Sequence, residues 1–366
     1  MKILYVTTIG ATMGFFRQLI KELVEEGHTV DIAANTSISN VQNEYMELGC
    51  KVFPISCTRS PFEKGTLTAI KQLKQIVSEG NYDLVHCHTP IAAMCTRLAC
   101  RKVRKNGIRV IYTAHGFHFY KGAPFKNWLL YYPVEKICAH FTDVLITINK
   151  EDYALAQKKM KAKKVEYVPG VGIDVSKFAD AVVDRDAKRD EIGVPRDAFV
   201  LLSVGELNGN KNHETVIKAL AEINNPEIHY VIAGRGRKKD YLENLAEEKG
   251  VKLHLLGFRR DIPELDKVAD VFVFPSYREG LSVSVMEAMA SGLPIVCSRI
   301  RGNTDLVNEN GGFLFDPMSI VECREAIEKI RLSNVASMGK YNYSVANEYE
   351  VRAINTHMKE IYRLRK

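Results

Sequence analysis

Residues 271–297 read VFVFPSYREGLSVSVMEAMASGLPIVC, and three changes of texture divide them. VFVF at 271–274 is β-branched and aromatic without a charge, the composition of a strand buried on both faces. Turn formers and charges come next, and a helix is expected near 283–291, stopped by Gly292 and Pro294. Residues 294–297 form a second apolar strand. Strand, helix and strand in this order make a crossover between parallel neighbours of one sheet.

The alternation repeats on both sides of this unit. Upstream, strands are expected at 199–204, 228–233 and 252–256, with helices at about 213–223 and 239–250. Downstream, helical segments run from 319 to about 364. The first half opens with a strand at 2–8, a loop at 9–13 and a helix over 15–27, then a strand at 28–34. Further strands are read near 52–55, 84–87, 110–113, 144–148 and 165–168. VPGVG at 168–172 interrupts the pattern and reads as a hinge. The expectation is an α/β chain of two Rossmann-like, doubly wound domains, 1–170 and 171–345, facing each other across a cleft. A C-terminal helix at 346–366 is expected to pack back on the first domain. Sheets of this kind bind ligands beyond the carboxyl ends of their strands.

Composition agrees with a soluble globular chain: 366 residues, 46% hydrophobic and 26% charged. The net charge of +7 is uneven, with 23 Lys and Arg against 14 Asp and Glu over 1–170 and 28 against 30 beyond. A basic first half suggests an anionic partner, nucleic acid or membrane surface, or a solvated basic face with no partner. The eight cysteines include no C-x-x-C pair and fall mostly in apolar stretches, as reduced core cysteines of a cytosolic protein do. Neither a signal peptide nor an apolar run long enough to span a membrane is read, so a soluble or peripheral protein is expected.

Charged and small residues cluster where the strands end. Glu279 stands in the loop after the 271–274 strand, and the backbone amides of Gly280, Leu281 and Ser282 lie at a helix start, where an anion is favoured. Glu287 comes eight residues after Glu279. Carboxylates suit sugar or ribose hydroxyls, since each oxygen accepts hydrogen bonds. Other readings stay open: Ser284 to Glu287 also fits a capping box, and Glu279 also fits a loop surface charge. SVGELNGNKNH at 203–213 lies between a strand and a helix, so Gly205 permits close approach and Lys211 supplies positive charge, or merely starts a helix. AGRGR at 233–237 places Gly234 after a strand but lacks the third glycine of a dinucleotide fingerprint, which disfavours an NAD-linked dehydrogenase. TAHGFHFY at 113–120 puts His115 and His118 at another strand end with aromatic faces that suit a sugar ring, though either histidine also fits a structural role. No His or Cys spacing there supports a metal. FKNWLLYY at 125–132 reads as a core helix or as an aromatic stretch resting on anionic lipid.

Together these motifs resemble the retaining glycosyltransferases of family 4, a family with the GT-B fold. The 274–294 stretch resembles the family's E-x7-E region, and RGNTDLV at 301–307 and GGFLF at 311–315 resemble the segments downstream of that region in the family. The resemblance implies sugar transfer from a nucleotide sugar with retention, without a metal or other cofactor. It implies that Glu287 bonds the ribose hydroxyls and that Glu279 contacts the donor sugar near the reacting carbon. Lys211 would face the departing diphosphate and His115 the donor sugar, both counted with Glu279 as catalytic. LGFRRD at 256–261, with Phe258 and Arg260, is similar to the edge that reads the base, uracil by family habit. Gly14 matches the family's close-approach glycine, with Met13-Gly14 in place of Gly-Gly. Glu206 departs from the arginine common after Gly205, so Lys211 acts alone or with Arg235, Arg237 or Arg260. The likeness is greatest to bacterial members that build exopolysaccharide or capsule. It implies a saccharide or polyprenyl-diphosphate-linked acceptor and a cytoplasmic place, peripheral on the inner membrane face. A nucleotide-sugar epimerase of the same architecture is the rival reading. A basic nucleic-acid-binding protein is a distant one, since no cluster of basic and aromatic residues on one element supports it.

Overall fold

In a computed structural model of the chain, residues 1–58 and 63–363 are described. The chain divides into two units, Met1–Val171 with Asn355–Lys366, and Gly172–Ile354. The first unit carries seven strands, β1 (Lys2–Ile9), β2 (Thr29–Asn35), β3 (Val52–Pro54), β4 (Leu84–His88), β5 (Arg109–Ala114), β6 (Val144–Thr147) and β7 (Lys164–Tyr167). They form a parallel sheet in the order β3-β2-β1-β4-β5-β6-β7. Its order reverses between β1 and β4. Leu4, Val6, Val85, Cys87, Val110 and Tyr112 share one core with the Lys64–Gly80 and Pro90–Cys100 helices. Each such fully buried aliphatic side chain contributes about 1.5–3 kcal/mol.

The second unit carries β8 (Phe199–Val204), β9 (Ile228–Ala233), β10 (Lys252–Gly257), β11 (Val271–Phe274), β12 (Ile295–Ser298) and β13 (Gly312–Phe315). Its parallel sheet has the order β10-β9-β8-β11-β12-β13, reversing between β8 and β11. Both sheets are doubly wound and Rossmann-like, as the alternation of strand and helix predicts.

Three local readings differ from the structure. The 9–13 segment is not an open loop: Gly10–Phe16 is a 3-10 turn that leads into the Arg17–Glu25 helix. The 283–291 helix spans Val283–Ala290 and is capped by Ser282, whose Oγ accepts from the Val285 amide at 3.3 Å. The capping box read from Ser284 to Glu287 therefore does not form, because Ser284 lies inside the helix.

The second unit also extends past the expected 345, to Ile354. The Tyr349 carbonyl accepts from the Ile173 amide at 2.9 Å. At Gly172, with φ +77°, an added Cβ would stand 2.5 Å from the Cα of Val351, so only glycine fits. From Asn355 the last helix belongs to the first unit. There Lys359 reaches Glu22 and Glu26, and the Tyr362 hydroxyl meets Tyr5 at 2.5 Å and His86 at 2.6 Å.

Candidate donor site and the histidine cluster

The loops after β8 and β9 touch backbone to backbone. A Cβ on Gly234 would fall 1.8 Å from the Gly205 carbonyl oxygen, and one on Gly236 would fall 2.3 Å from that of Leu207. A Cβ on Gly205 would press the Lys211 side chain at 3.1 Å. These glycines let two strand ends converge, and Gly234 also bridges to Gly257 at the end of β10. Phe258 comes next, 61% exposed, with the Arg235 guanidinium 5.8 Å from its ring centre. Arg260 is exposed and forms no ion pair among the described residues, whereas Arg259 is held by Glu191 and Asp261.

Lys211 and Glu279 stand in the loops after β8 and β11, the two strands that flank the reversal in sheet order. The Lys211 ammonium stands 2.9 Å from Oε1 of Glu279 and 4.4 Å above the Phe274 ring, with both side chains less than a fifth exposed. Three residues that the sequence alone did not single out set this geometry. Asn212, in the left-handed region at φ 53°, donates from Nδ2 to the Pro275 and Pro317 carbonyls at 3.1 and 3.0 Å. Asn210 donates to the Arg278 carbonyl at 3.0 Å and accepts from the Tyr277 amide at 2.8 Å. Arg301, nearly buried, donates from Nε to the Glu279 carbonyl at 3.2 Å. The signal for both asparagines was their density around Lys211; the signal for Arg301 was its place beside Gly302.

After Glu279 come Gly280 and the buried pair Leu281 and Ser282; the Gly280 carbonyl lies where a Cβ on Gly302 would be, 2.3 Å away. The amides of Gly280, Leu281 and Ser282 donate to no acceptor among the described residues. They stand at the amino end of the helix, where the backbone dipoles favour negative charge. Glu287 sits half-buried on that helix. Burial pushes its carboxyl up to about 7, against the opposing attraction of Lys177. Cation, carboxylates and free amides thus gather at the carboxyl edge of one sheet, an arrangement suited to a diphosphate with hydroxyls on either side. Among the described residues no group of three or more His, Cys, Asp or Glu is placed to hold a metal.

Gly14 and His115 belong to the first unit. Gly14 lies on the exposed face of the 3-10 turn, where an added Cβ would meet only the end of the Gln42 side chain at 3.2 Å. The glycine this turn demands is Gly10, whose added Cβ would strike the Ser39 and Asn40 backbone at 2.5 Å. His115 stands just after β5, and its Nε2 lies 3.1 Å from Nδ1 of His88 at the end of β4. Burial pushes the His115 imidazole down to about 4, so it is neutral at pH 7.

Phe117 and Phe119 are buried and stacked on each other at 4.8 Å, with Phe119 against Trp128 and Tyr132. They are core residues and present no face to a sugar, contrary to the expectation for this aromatic run. His118 instead lies against Tyr131 at 4.6 Å and lines a pocket of about 200 Å³ with Thr8, Thr12, Thr89 and Pro90. This pocket sits where the first sheet reverses, between β1 and β4.

Thr89 is the conformational outlier there, at φ 63° and ψ 140°. A β-branched residue in that region is held against a penalty of about 1–3 kcal/mol. Its Oγ accepts from the Thr8 amide at 3.1 Å and shares a hydrogen bond with the Thr8 hydroxyl at 2.7 Å. The strain lets the chain pass from β4 to the Pro90–Cys100 helix through one residue.

Residues 15–177 match the family Glycosyltransferase Family 4, and residues 184–345 match Glycosyl transferases group 1. The chain is 38% identical over 321 residues to a Bacillus subtilis (strain 168) protein named as the glycosyltransferase EpsD, covering 86% of this chain and 83% of that one. It is 32% identical over 316 residues to an Escherichia coli enzyme, covering 81% of this chain and 80% of the other. That enzyme is named UDP-Gal:alpha-D-GlcNAc-diphosphoundecaprenol alpha-1,3-galactosyltransferase. Among solved structures, HepE of Anabaena in complex with UDP superposes with a TM-score of 0.80 at 22% identity, over 99% of each chain. These relatives are named as transferases, so the epimerase reading is not favoured. Sequence and architecture agree: the chain belongs to glycosyltransferase family 4 and is a glycosyltransferase of the GT-B fold.

Proposed function

We propose that the chain transfers a sugar from a uridine-diphosphate sugar to a lipid-linked saccharide, with retention at the anomeric carbon, during assembly of a bacterial exopolysaccharide or capsule. The observation that carries this reading is the Lys211–Glu279 pair at the reversal of the second sheet, beside the free amides of Gly280, Leu281 and Ser282. Lys211 and these amides stabilise the diphosphate as negative charge develops on it, usually the largest single contribution to catalysis. Glu287 accepts from the ribose hydroxyls, Phe258 and the backbone by Arg260 meet the base, and Gly205, Gly234 and Gly14 leave room for the phosphates. Glu279 and a neutral His115 bond the sugar. The acceptor hydroxyl attacks from the face that the diphosphate leaves, through an oxocarbenium-like state. The positive charge comes from the chain itself, and no metal or cofactor is required.

The acceptor side rests on the first unit. The hydroxyl-lined pocket at Thr8, Thr89 and His118 holds no charged side chain and suits a sugar ring. The Phe125–Ala139 helix turns Trp128, Tyr131 and Tyr132 inward and leaves Phe125 80%, Leu129 65% and Ile137 58% exposed, flanked by Lys126 and Lys136. Such a face suits the anionic inner surface of the cell membrane, where a polyprenyl-diphosphate saccharide is held. No helix among the described residues is long and apolar enough to cross a membrane.

The test is transfer itself. The chain is incubated with a panel of UDP-sugars and a polyprenyl-diphosphate-linked N-acetylhexosamine, with and without EDTA, and the product's anomeric configuration is read by NMR. An axial linkage formed from an axial donor, indifferent to EDTA, is expected. Inversion, or nucleotide release without a transferred sugar, overturns the reading.

A further inference from the structure

His88 is buried to 1% exposure, packed by Phe16 at 4.1 Å and by His86 at 4.0 Å between ring centres. Its Nδ1 faces Nε2 of His115 at 3.1 Å, while its own Nε2 finds no partner among the described residues. Burial holds both imidazoles well below their ordinary range, so both rings are neutral. A neutral imidazole has one N–H and one lone pair, which leaves two ways to make this hydrogen bond.

In the first, His115 donates from Nε2, and the proton of His88 is driven onto its own Nε2. That places a buried N–H where no acceptor stands among the described residues. In the second, His88 donates from Nδ1, its Nε2 is a bare lone pair, and His115 keeps its proton on Nδ1. A buried orphan donor is rarer than an orphan acceptor, so the second arrangement wins. The backbone holds His88 in place for it, since the strained Thr89 directly after it is tied to Thr8.

We infer that His88 is a positioning residue that fixes His115 as its Nδ1–H tautomer, so that His115 offers a hydrogen-bond donor, not a base, to a sugar hydroxyl. The inference rests on the proposed contact of His115 with the donor sugar. It also explains why a histidine outside the expected site stands at the end of β4 facing one inside it.

Tautomers are read directly by long-range proton–nitrogen NMR on the full chain labelled at histidine. In the wild type, His115 is expected to carry its proton on Nδ1; a proton on Nε2 overturns the inference. His88→Asn keeps an amide N–H close to the Nδ1 position and is expected to preserve both the His115 signature and turnover. His88→Asp offers only an acceptor when ionised and is expected to move the His115 proton to Nε2. It should also lower kcat about tenfold, the loss of one hydrogen bond in the transition state, with KM for the donor little changed. Equal turnover and unchanged His115 signals in both variants would discard the positioning role. If the Nδ1–H tautomer holds while His115→Ala transfers normally, the tautomer stands and the sugar contact falls, which separates the two claims.

Discussion

Glu279 and Lys211 pair across 2.9 Å, so in the proposed function a diphosphate competes with a carboxylate for the same ammonium. Glu279→Gln removes the competitor and the like charge while keeping the side chain's shape. UDP affinity should rise about three- to tenfold, since a partly exposed pair is worth about 1 kcal/mol, and turnover should fall if the carboxylate serves the transition state. Calorimetry with UDP alongside steady-state kinetics reads both; weaker UDP binding in the variant would contradict the competition. Glu287 gives a second residue-scale expectation. Burial lifts its carboxyl from 4.5 to about 7, and in the proposed function ribose hydroxyls bond the ionised form. Affinity for a UDP-sugar should therefore climb as pH rises through about 7, falling about tenfold per unit below it. Stability runs the other way: the folded chain binds more protons at this site than the unfolded chain between pH 4.5 and about 7, so this contribution declines as pH rises across that window. Glu287→Gln should flatten both profiles, and titrations of binding and of thermal midpoint against pH decide it.

Two short connections set the helix starts of the donor site, and they differ in how much they carry. Ser282 caps the Val283–Ala290 helix with one long side-chain hydrogen bond, so Ser282→Ala should cost about 1 kcal/mol. Asn212 is buried, left-handed and tied to two carbonyls from separate loops, so Asn212→Ala should cost about 3 kcal/mol and weaken UDP binding by releasing the Lys211 loop. Urea unfolding ranks the two; a larger loss at Ser282 would reverse the assignment. The contrast also marks what could be read from sequence. Strands such as VFVF at 271–274 were legible because a parallel strand covered on both faces shows an unbroken apolar run. Lys211 and Glu279 could be singled out because charges beside strand ends are conspicuous, and Glu287 because it follows Glu279 by eight residues. Ser282 and Ser284 offer the same chemistry, and only the fold decides which one caps. Gly10 and Gly14 are likewise indistinguishable until the chain at Ser39 and Asn40 passes beside one of them. Phe117 and Phe119 read as ligand-facing because local sequence does not report which helix covers them.

The Val351–Arg363 helix begins in one unit and ends in the other, and from Asn355 it adds Met358, Ile361 and Tyr362 to the buried residues of the first unit. Tyr362 takes part in that packing: its hydroxyl meets Tyr5 and His86, and its carbonyl and that of Ile361 accept from Arg109 at 2.6 and 2.8 Å. Tyr362→Phe keeps the ring and the backbone contacts but strips the shared hydroxyl, leaving a buried phenol and a buried imidazole nitrogen each short of a partner. An unmet buried polar group costs about 1–3 kcal/mol, so the first unit should lose stability of that order. The single tryptophan, Trp128, lies in that unit, packed against its core, and its fluorescence reports the first unit alone. The Trp128 transition in urea should move to lower denaturant in the variant, while a signal from the second unit, such as protection by UDP, keeps its midpoint. Parallel shifts in both signals would mean that the two units unfold as one cooperative body. An unmoved Trp128 transition would mean that the hydroxyl's bonds contribute nothing net, and that the helix is held by Lys359, Arg109 and the apolar face of Ile361 instead.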